Sequence, residues 1–290
     1  MSKWDGKSKG SVFGYKIFLI TIKYLSIGIV YNTILRLVSL YFYWFSEEKR
    51  EPLVKFYQEA LSYDRKKALK TARSNFYIFG QTLVDRVVFL VGKNKQFTHT
   101  FENETQLIEM SNAGKGGVLI SGHLGNWETA GNLLVNRLSS KINVIMYDEE
   151  VQEIKEFLDA NTGGSKFDII AIKDDFSHII KIYNALSNNE FIAVHADRVK
   201  EGTKFIEIDF FGKPAKFPLG PFIIASKFKA PVTFVFAVKE TKYHYHLSAT
   251  PAITESKSPE DIAQLYVQEL EKKVKLHPEQ WFNYFEYYDY

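Results

Sequence analysis

His123 and Glu128 lie in the string Ser121-Gly-His-Leu-Gly-Asn-Trp-Glu128, directly after the apolar run Gly117-Val-Leu-Ile-Ser121. Imidazole takes up a proton readily near neutral pH, and a carboxylate beside it fixes its tautomer. Such a pair activates a hydroxyl for attack on an acyl carbon, which is the chemistry of acyl transfer. The spacing constrains the geometry. On one continuous helix, residues five apart sit roughly 140° apart around the axis and do not share a face. The pair converges only if His123 lies in a turn and Glu128 in the first turns of the helix that follows. Gly122 and Gly125 permit that turn, and Asn126 is placed to cap the helix. Apolar Trp127, Ala130, Leu133, Leu134 and Leu138 then predict a helix over 127–138. A histidine and a glutamate at this spacing also occur together by chance, so the rest of the chain has to carry the reading.

The elements that position the pair alternate along the chain. Strands are predicted at 117–121, 142–147, 168–172, 190–195, 205–210, 231–238 and 243–249. Helices are predicted at 47–62, 64–91, 127–138, 149–160, 174–188, 218–229 and 259–275. This order implies an α/β fold with a mixed, largely parallel sheet covered by helices. In such sheets, sites lie beyond the carboxyl ends of strands. His123 follows one strand and Asp197 follows another, Phe191-Ile-Ala-Val-His195, so both are expected at one edge.

Ahead of this domain, from Tyr24 to Phe45, only Arg36 is charged, and the run is long enough to cross a hydrocarbon core of roughly 30 Å. Within residues 12–46, Lys16, Lys23 and Arg36 interrupt any uncharged stretch of span length, and basic residues flank the run on both sides, from Lys3 to Lys23 and from Lys49 to Lys67. Two readings stay open: a transmembrane helix, or a helix lying in one leaflet. The Tyr41-Phe-Tyr-Trp-Phe45 belt suits a membrane interface. We therefore expect a membrane-anchoring helical segment at 1–46 and a catalytic domain at 47–290. The 290 residues include no cysteine, which excludes a thiolate nucleophile and a thiolate metal site. A net charge of +3 is too small to argue for nucleic acid, but suits an anionic membrane surface or an acidic carrier protein.

Five further blocks carry a resemblance. They are His195-Ala-Asp-Arg198, Phe211-Gly-Lys-Pro-Ala215, Pro218-Leu-Gly-Pro221, Ala230-Pro231 and His277-Pro-Glu-Gln-Trp281. With His123-Leu-Gly-Asn-Trp-Glu128 they stand in the order found in the bacterial lipid A late acyltransferases, a branch of the lysophospholipid and glycerolipid acyltransferases, which this chain resembles over most of its length. One departure is Ala-Asp197-Arg198, where members of that family often carry Asp-Gln-Asp. The Lys200-Glu-Gly-Thr203 stretch is a weak echo of a glycerol-3-phosphate acyltransferase motif and lacks its proline.

The resemblance implies a membrane-associated enzyme at the cytoplasmic face of a bacterial inner membrane. It would move a fatty acyl chain from acyl carrier protein or acyl-CoA to a hydroxyl of a lipid acceptor, with lipid A precursor the acceptor the family suggests. The alternatives are another acceptor (a lysophospholipid, an amino-acid lipid or another alcohol or amine) or a catalytically silent scaffold that binds lipid or carrier protein. No cofactor and no metal is expected beyond the acyl thioester, and the chain is expected to act as a monomer. His123 is the expected base and Glu128 its orienting acid. Gly125 and Asn126, with Lys173, Asp197 and Arg198, are the expected substrate-binding residues. For Gly125 the group is its backbone N–H, and for Lys173 and Arg198 the role is an oxyanion or phosphate contact. Lesser candidates are set aside. His195 is expected to pack at its strand end. His244 and His246 share a strand face without an evident third ligand and are expected at the surface. Lys115-Gly-Gly117 lacks the P-loop order, and Ser121 lacks the Gly-x-Ser-x-Gly elbow.

Overall fold

The structure is a computed structural model and describes residues 21, 24–134, 137–147, 167–173, 175, 177–228 and 230–288. A seven-stranded sheet forms its centre, in the order β1-β9-β8-β2-β5-β3-β4. The strands are β1 (Thr98–Glu102), β2 (Gly117–Ser121), β3 (Ile142–Tyr147), β4 (Asp168–Ile172), β5 (Phe191–His195), β8 (Val232–Thr241) and β9 (His244–Ala249). All neighbours are parallel except β8 and β9, so the sheet is mixed and mostly parallel, as expected. The central β2 is buried along its whole length, which is why its five residues are small or apolar throughout.

A separate hairpin pairs β6 (Phe205–Phe210) with β7 (Lys213–Pro218). Its two-residue link, Phe211-Gly212, has both residues at positive φ, the backbone that lets a tight hairpin follow strand twist. β7 and β1 were not expected as strands. The prolines of Lys213-Pro-Ala-Lys-Phe-Pro218 argue against a central strand, but a hairpin outside the main sheet tolerates them. Thr98-His-Thr-Phe-Glu102 is a polar edge strand and lacks the apolar content of an inner one.

The helices are α1 (Leu35–Phe45), α2 (Glu47–Leu61), α3 (Arg65–Leu90), α4 (Glu104–Asn112), α5 (Trp127–Leu134), α6 (Ser177–Ser187), α7 (Leu219–Lys227) and α8 (Pro259–Leu276). Their starts follow local chemistry. Asp64 caps α3 through the Lys67 amide at 2.8 Å, and Ser258 caps α8 through the Asp261 amide at 3.1 Å, with Pro259 in the first turn. The helix expected at 149–160 lies outside the described residues.

Helix α1 continues upstream as a π-helical turn, Val30–Ile34, and a short α-helical turn, Ile27–Ile29. Among the described residues no helix is long and apolar enough to cross a membrane. Tyr31, Leu35, Ser39 and Tyr43, spaced by four, are buried. Ile27, Val30, Tyr31 and Leu35 pack with Val84, Val87 and Val88 of α3 in one core cluster. The opposite side leaves Leu37, Tyr41, Phe42, Trp44 and Phe45 exposed. The described part of the expected anchor is thus an amphipathic helix seated on the catalytic body.

Candidate active site

Strand register builds the site. β2 and β5 are neighbours, and Ser121 pairs with His195. Two residues beyond each, the chains bring His123 and Asp197 together. His123 Nδ1 lies 2.7 Å from Asp197 Oδ1, and the His123 backbone N–H donates to Asp197 Oδ2 at 2.8 Å. The Trp281 indole donates to the same Oδ2 at 3.1 Å, and the Tyr287 hydroxyl donates to the Asp197 backbone carbonyl at 3.1 Å. Asp197 is fully buried, whereas the His123 side chain keeps 25% of its surface exposed. The carboxylate accepts the Nδ1–H hydrogen bond, which keeps the proton on Nδ1 and leaves Nε2 as the free basic atom.

The electrostatics fit a base held neutral. Burial pushes the His123 imidazole below its ordinary 6.5, the Arg198 charge adds to that, and Asp197 partly opposes it. Burial disfavours charge on Asp197 too, but His123, Arg198 and His195 outweigh it and hold its carboxyl well below the usual carboxylate range. The ligand atoms of His123, His195 and Asp197 lie within 4.8 Å of one another, a donor set that zinc also uses. The 2.7 Å contact inside this group is a hydrogen bond between a base and its orienting acid. A cation would have to displace that proton.

Glu128 does not have the expected place. It is buried and ion-paired with Arg86 of α3, each side chain 11% exposed. Burial raises its carboxyl and the Arg86 pair opposes the rise. The glutamate fastens α5 to α3, and Asp197 is the acid on the imidazole. Sequence spacing could not make this distinction, because Asp197 is distant in the chain and adjacent only through the β2–β5 register.

The turn itself is built from engaged backbone. Gly125 has φ +73°, and a Cβ there would meet the Ala237 carbonyl oxygen at 1.9 Å, so this position admits only glycine. The Gly125 N–H donates to Gln280 O at 2.9 Å and the Asn126 N–H to Ala237 O at 2.8 Å, so neither amide is left for the expected oxyanion contact. The Asn126 side chain points inward. Its Oδ1 accepts from the Thr129 amide at 3.2 Å, capping α5, and its amide donates to Thr82 O at 3.3 Å and Tyr245 Oη at 3.2 Å. Asn126 therefore holds the turn and is not placed to bind substrate. The Pro278-Glu-Gln-Trp281 segment braces it from below: the Gln280 side chain bonds both the N–H and the carbonyl of Lys239, each at 2.8 Å.

Beyond Asn126 lies a buried polar network. Lys239 of β8 is ion-paired with Asp85 of α3, at 3% and 0% side-chain exposure. The Tyr31 and Tyr245 hydroxyls both donate to Asp85, and Lys239 Nζ donates to Tyr31 Oη at 3.0 Å. Burial pushes the Asp85 carboxyl up and the Lys239 ammonium down, each opposed by its partner. None of this was legible as a site in the sequence.

Of the expected cations, Arg198 stays close. Its guanidinium donates to the Phe282 carbonyl and its charge reaches His123. Lys173 follows β4, three strands from β2, roughly 14 Å away at ordinary strand spacing, and does not meet the base. His244 and His246 bond Thr98 and Thr100 on the β1–β9 face at 2.7–3.1 Å, away from the site.

Between the sheet and α5 runs an apolar cleft lined by Phe101, Leu107, Trp127, Leu134, Phe167 and Ala193 among others. Ala193, Val194 and His195 of β5 line it, and the His195 ring lies 4.5 Å from that of His123. An imidazole, the carboxylate hydrogen-bonded to it and an apolar cleft thus meet at the carboxyl end of the sheet.

The sequence profile of the family described as "Bacterial lipid A biosynthesis acyltransferase" matches residues 21–285. Two curated relatives, the phosphatidylinositol mannoside acyltransferases of Mycobacterium tuberculosis strains ATCC 25618 / H37Rv and CDC 1551 / Oshkosh, are each 30% identical over 110 residues. The aligned stretch is 38% of this chain and 34% of theirs, about a third of those proteins.

Proposed function

The chain belongs to the bacterial lipid A biosynthesis acyltransferase family and is an acyltransferase, and from that premise we propose that it moves a fatty acyl chain from acyl carrier protein or acyl-CoA to a hydroxyl of a lipid acceptor. The observation that carries the reading is the His123–Asp197 pair at 2.7 Å beside a cleft that suits an aliphatic chain. His123 Nε2 takes the proton of the acceptor hydroxyl as its oxygen attacks the thioester carbon. Asp197 holds the imidazole in the productive tautomer and stabilises the imidazolium that forms. The hydroxyl is itself the nucleophile, so no acyl-enzyme is required. Glu128 serves this chemistry indirectly, by fixing α5 against α3. Arg198 is the cation on hand for a phosphate of the donor or acceptor.

Family membership favours lipid A precursor as the acceptor. The likeness to phosphatidylinositol mannoside acyltransferases supports a second reading, in which the acceptor is a glycosylated phospholipid. Mass spectrometry separates them: purified chain is given acyl carrier protein loaded with one defined fatty acid, acyl-CoA in parallel, and the producing organism's lipid extract. One lipid gaining the acyl mass names the acceptor. Thioester that survives intact with either donor would leave a lipid- or carrier-binding scaffold as the better account.

The acceptor would be met at the cytoplasmic face of the inner membrane, with the chain acting as a monomer. Exposed Leu37, Tyr41, Trp44 and Phe45 on α1 support docking into one leaflet, with aromatic rings at headgroup depth. Replacing Trp44 and Phe45 together by serine is expected to weaken binding to anionic vesicles by about tenfold or more, given the apolar area lost. Thermal stability should stay close to wild type, because both side chains are exposed. Equal vesicle flotation of variant and wild type would rule out this docking face.

A further inference from the structure

Resting on the acyl-transfer reading, we infer that His195 is a second catalytic residue, the hydrogen-bond donor that holds the thioester carbonyl oxygen as negative charge builds on it. His195 ends β5, two residues before Asp197. Its ring stands 4.5 Å from His123 and 5.2 Å from Trp127, edge-on to the indole, and it lines the apolar cleft. An acyl chain lying in that cleft brings its carbonyl past His195 to reach the base.

The His195 side chain has a buried nitrogen left unpaired among the described residues. Among the described residues it makes no hydrogen bond, and its Nδ1 is buried without a partner. A buried polar atom left unsatisfied is destabilising, and native folds seldom keep one without a use. Burial, with His123 beside it, pushes the His195 pKa down to about 3. The ring is therefore neutral at physiological pH, carrying one N–H donor and one acceptor nitrogen. So weak a base is a poor proton acceptor, but a neutral imidazole can polarise a carbonyl without competing for the proton that His123 must take.

Several other donors near the turn are engaged within the protein. The amides of His123, Gly125 and Asn126 donate to Asp197, Gln280 and Ala237, and the Arg198 guanidinium donates to the Phe282 carbonyl. In the step itself, the acceptor oxygen bonds to the acyl carbon and its proton passes to His123 Nε2. The carbonyl oxygen gains charge against the His195 N–H. The carbon–sulfur bond then breaks, the carbonyl re-forms, and the departing thiolate takes the proton from His123.

Two variants of the full chain test this: His195→Phe keeps a ring and removes both nitrogens, and His195→Gln keeps a donor. Because the His195 nitrogens make no hydrogen bond among the described residues, the Phe variant is expected to melt at or above the wild-type temperature. Its kcat is expected to fall about 10²–10³-fold, the usual loss for an oxyanion donor, with KM for the thioester little changed. His195→Gln is expected to recover a tenfold or larger part of that loss. In the Phe variant the acid limb of the pH profile should stay where His123 puts it. Wild-type kcat in both variants, or a loss accompanied by a shift of that limb, would overturn the assignment, the latter because His195 would then be acting through His123. His123→Ala run alongside separates the two readings. If it transfers acyl groups as fast as wild type, the acyl-transfer reading fails. If it is inactive while the Phe variant is not, only the His195 role fails.

Discussion

His123→Ala is expected to lower acyl transfer by about 10²–10⁴-fold, the usual cost of losing a general base, with KM for the donor thioester much less affected. Asp197→Asn is expected to lose a comparable factor, because an amide cannot hold Nδ1 protonated and Nε2 free to act as base. The pH profile distinguishes Asp197 from Glu128. The base must be neutral to work, so activity is full above its pKa and falls below it. With His123 depressed by burial and Arg198, the acid limb of kcat/KM should lie below 6.5. Asp197 is the group that raises the His123 value, so Asp197→Asn should move the limb lower still. Glu128→Gln should leave it in place, since Glu128 pairs with Arg86 and does not touch the imidazole. A limb that moves with Glu128 and ignores Asp197 would restore the glutamate to the role the spacing first suggested.

Breaking the Asp85–Lys239 pair should have the largest effect on the fold. Asp85→Asn leaves an ammonium at 3% exposure without its counter-charge, and Lys239→Met leaves a fully buried carboxylate without its cation. Each single change is expected to cost about 3–5 kcal/mol. For a domain of this size that is a fall of roughly 6–20 °C in Tm. The double variant should melt above the sum of the two losses, because neither charge is then left uncompensated. Additive losses would mean that each residue is stabilised by partners other than the other. Activity should fall in the single variants as well. Tyr245, which donates to Asp85, accepts from the Asn126 side chain, and Asn126 caps the helix that follows the His123 turn.

Much of the architecture was legible because it follows local rules. The run Gly117–Ser121 reads as a strand, Asn126 as a cap and 259–275 as the last helix, and each holds to within a residue. The elements that escaped are those whose local signal is weak: the polar edge strand β1, and β7 with two prolines in six residues. The site was half legible. His123 and Asp197 were both singled out, but Asp197 was given to substrate and its place beside the base was given to Glu128. Trp281 and Gln280 were noted only as part of a C-terminal string. Nothing local marks one as a donor to Asp197 and the other as a brace on Lys239.

The sequence by itself pointed to His123 as the candidate base, and to the glycine turn, the strand ends that expose it and the family. These depend on residue types within a few positions of one another. Only the tertiary structure decided which acid serves His123. It set Ser121 opposite His195, which carries Asp197 to the imidazole and leaves Glu128 to Arg86. It also put Lys173 out of reach and left His195 Nδ1 buried without a partner among the described residues. Pairing across a sheet joins residues 74 apart in the chain as closely as neighbours, and no spacing rule along one strand or helix contains that information.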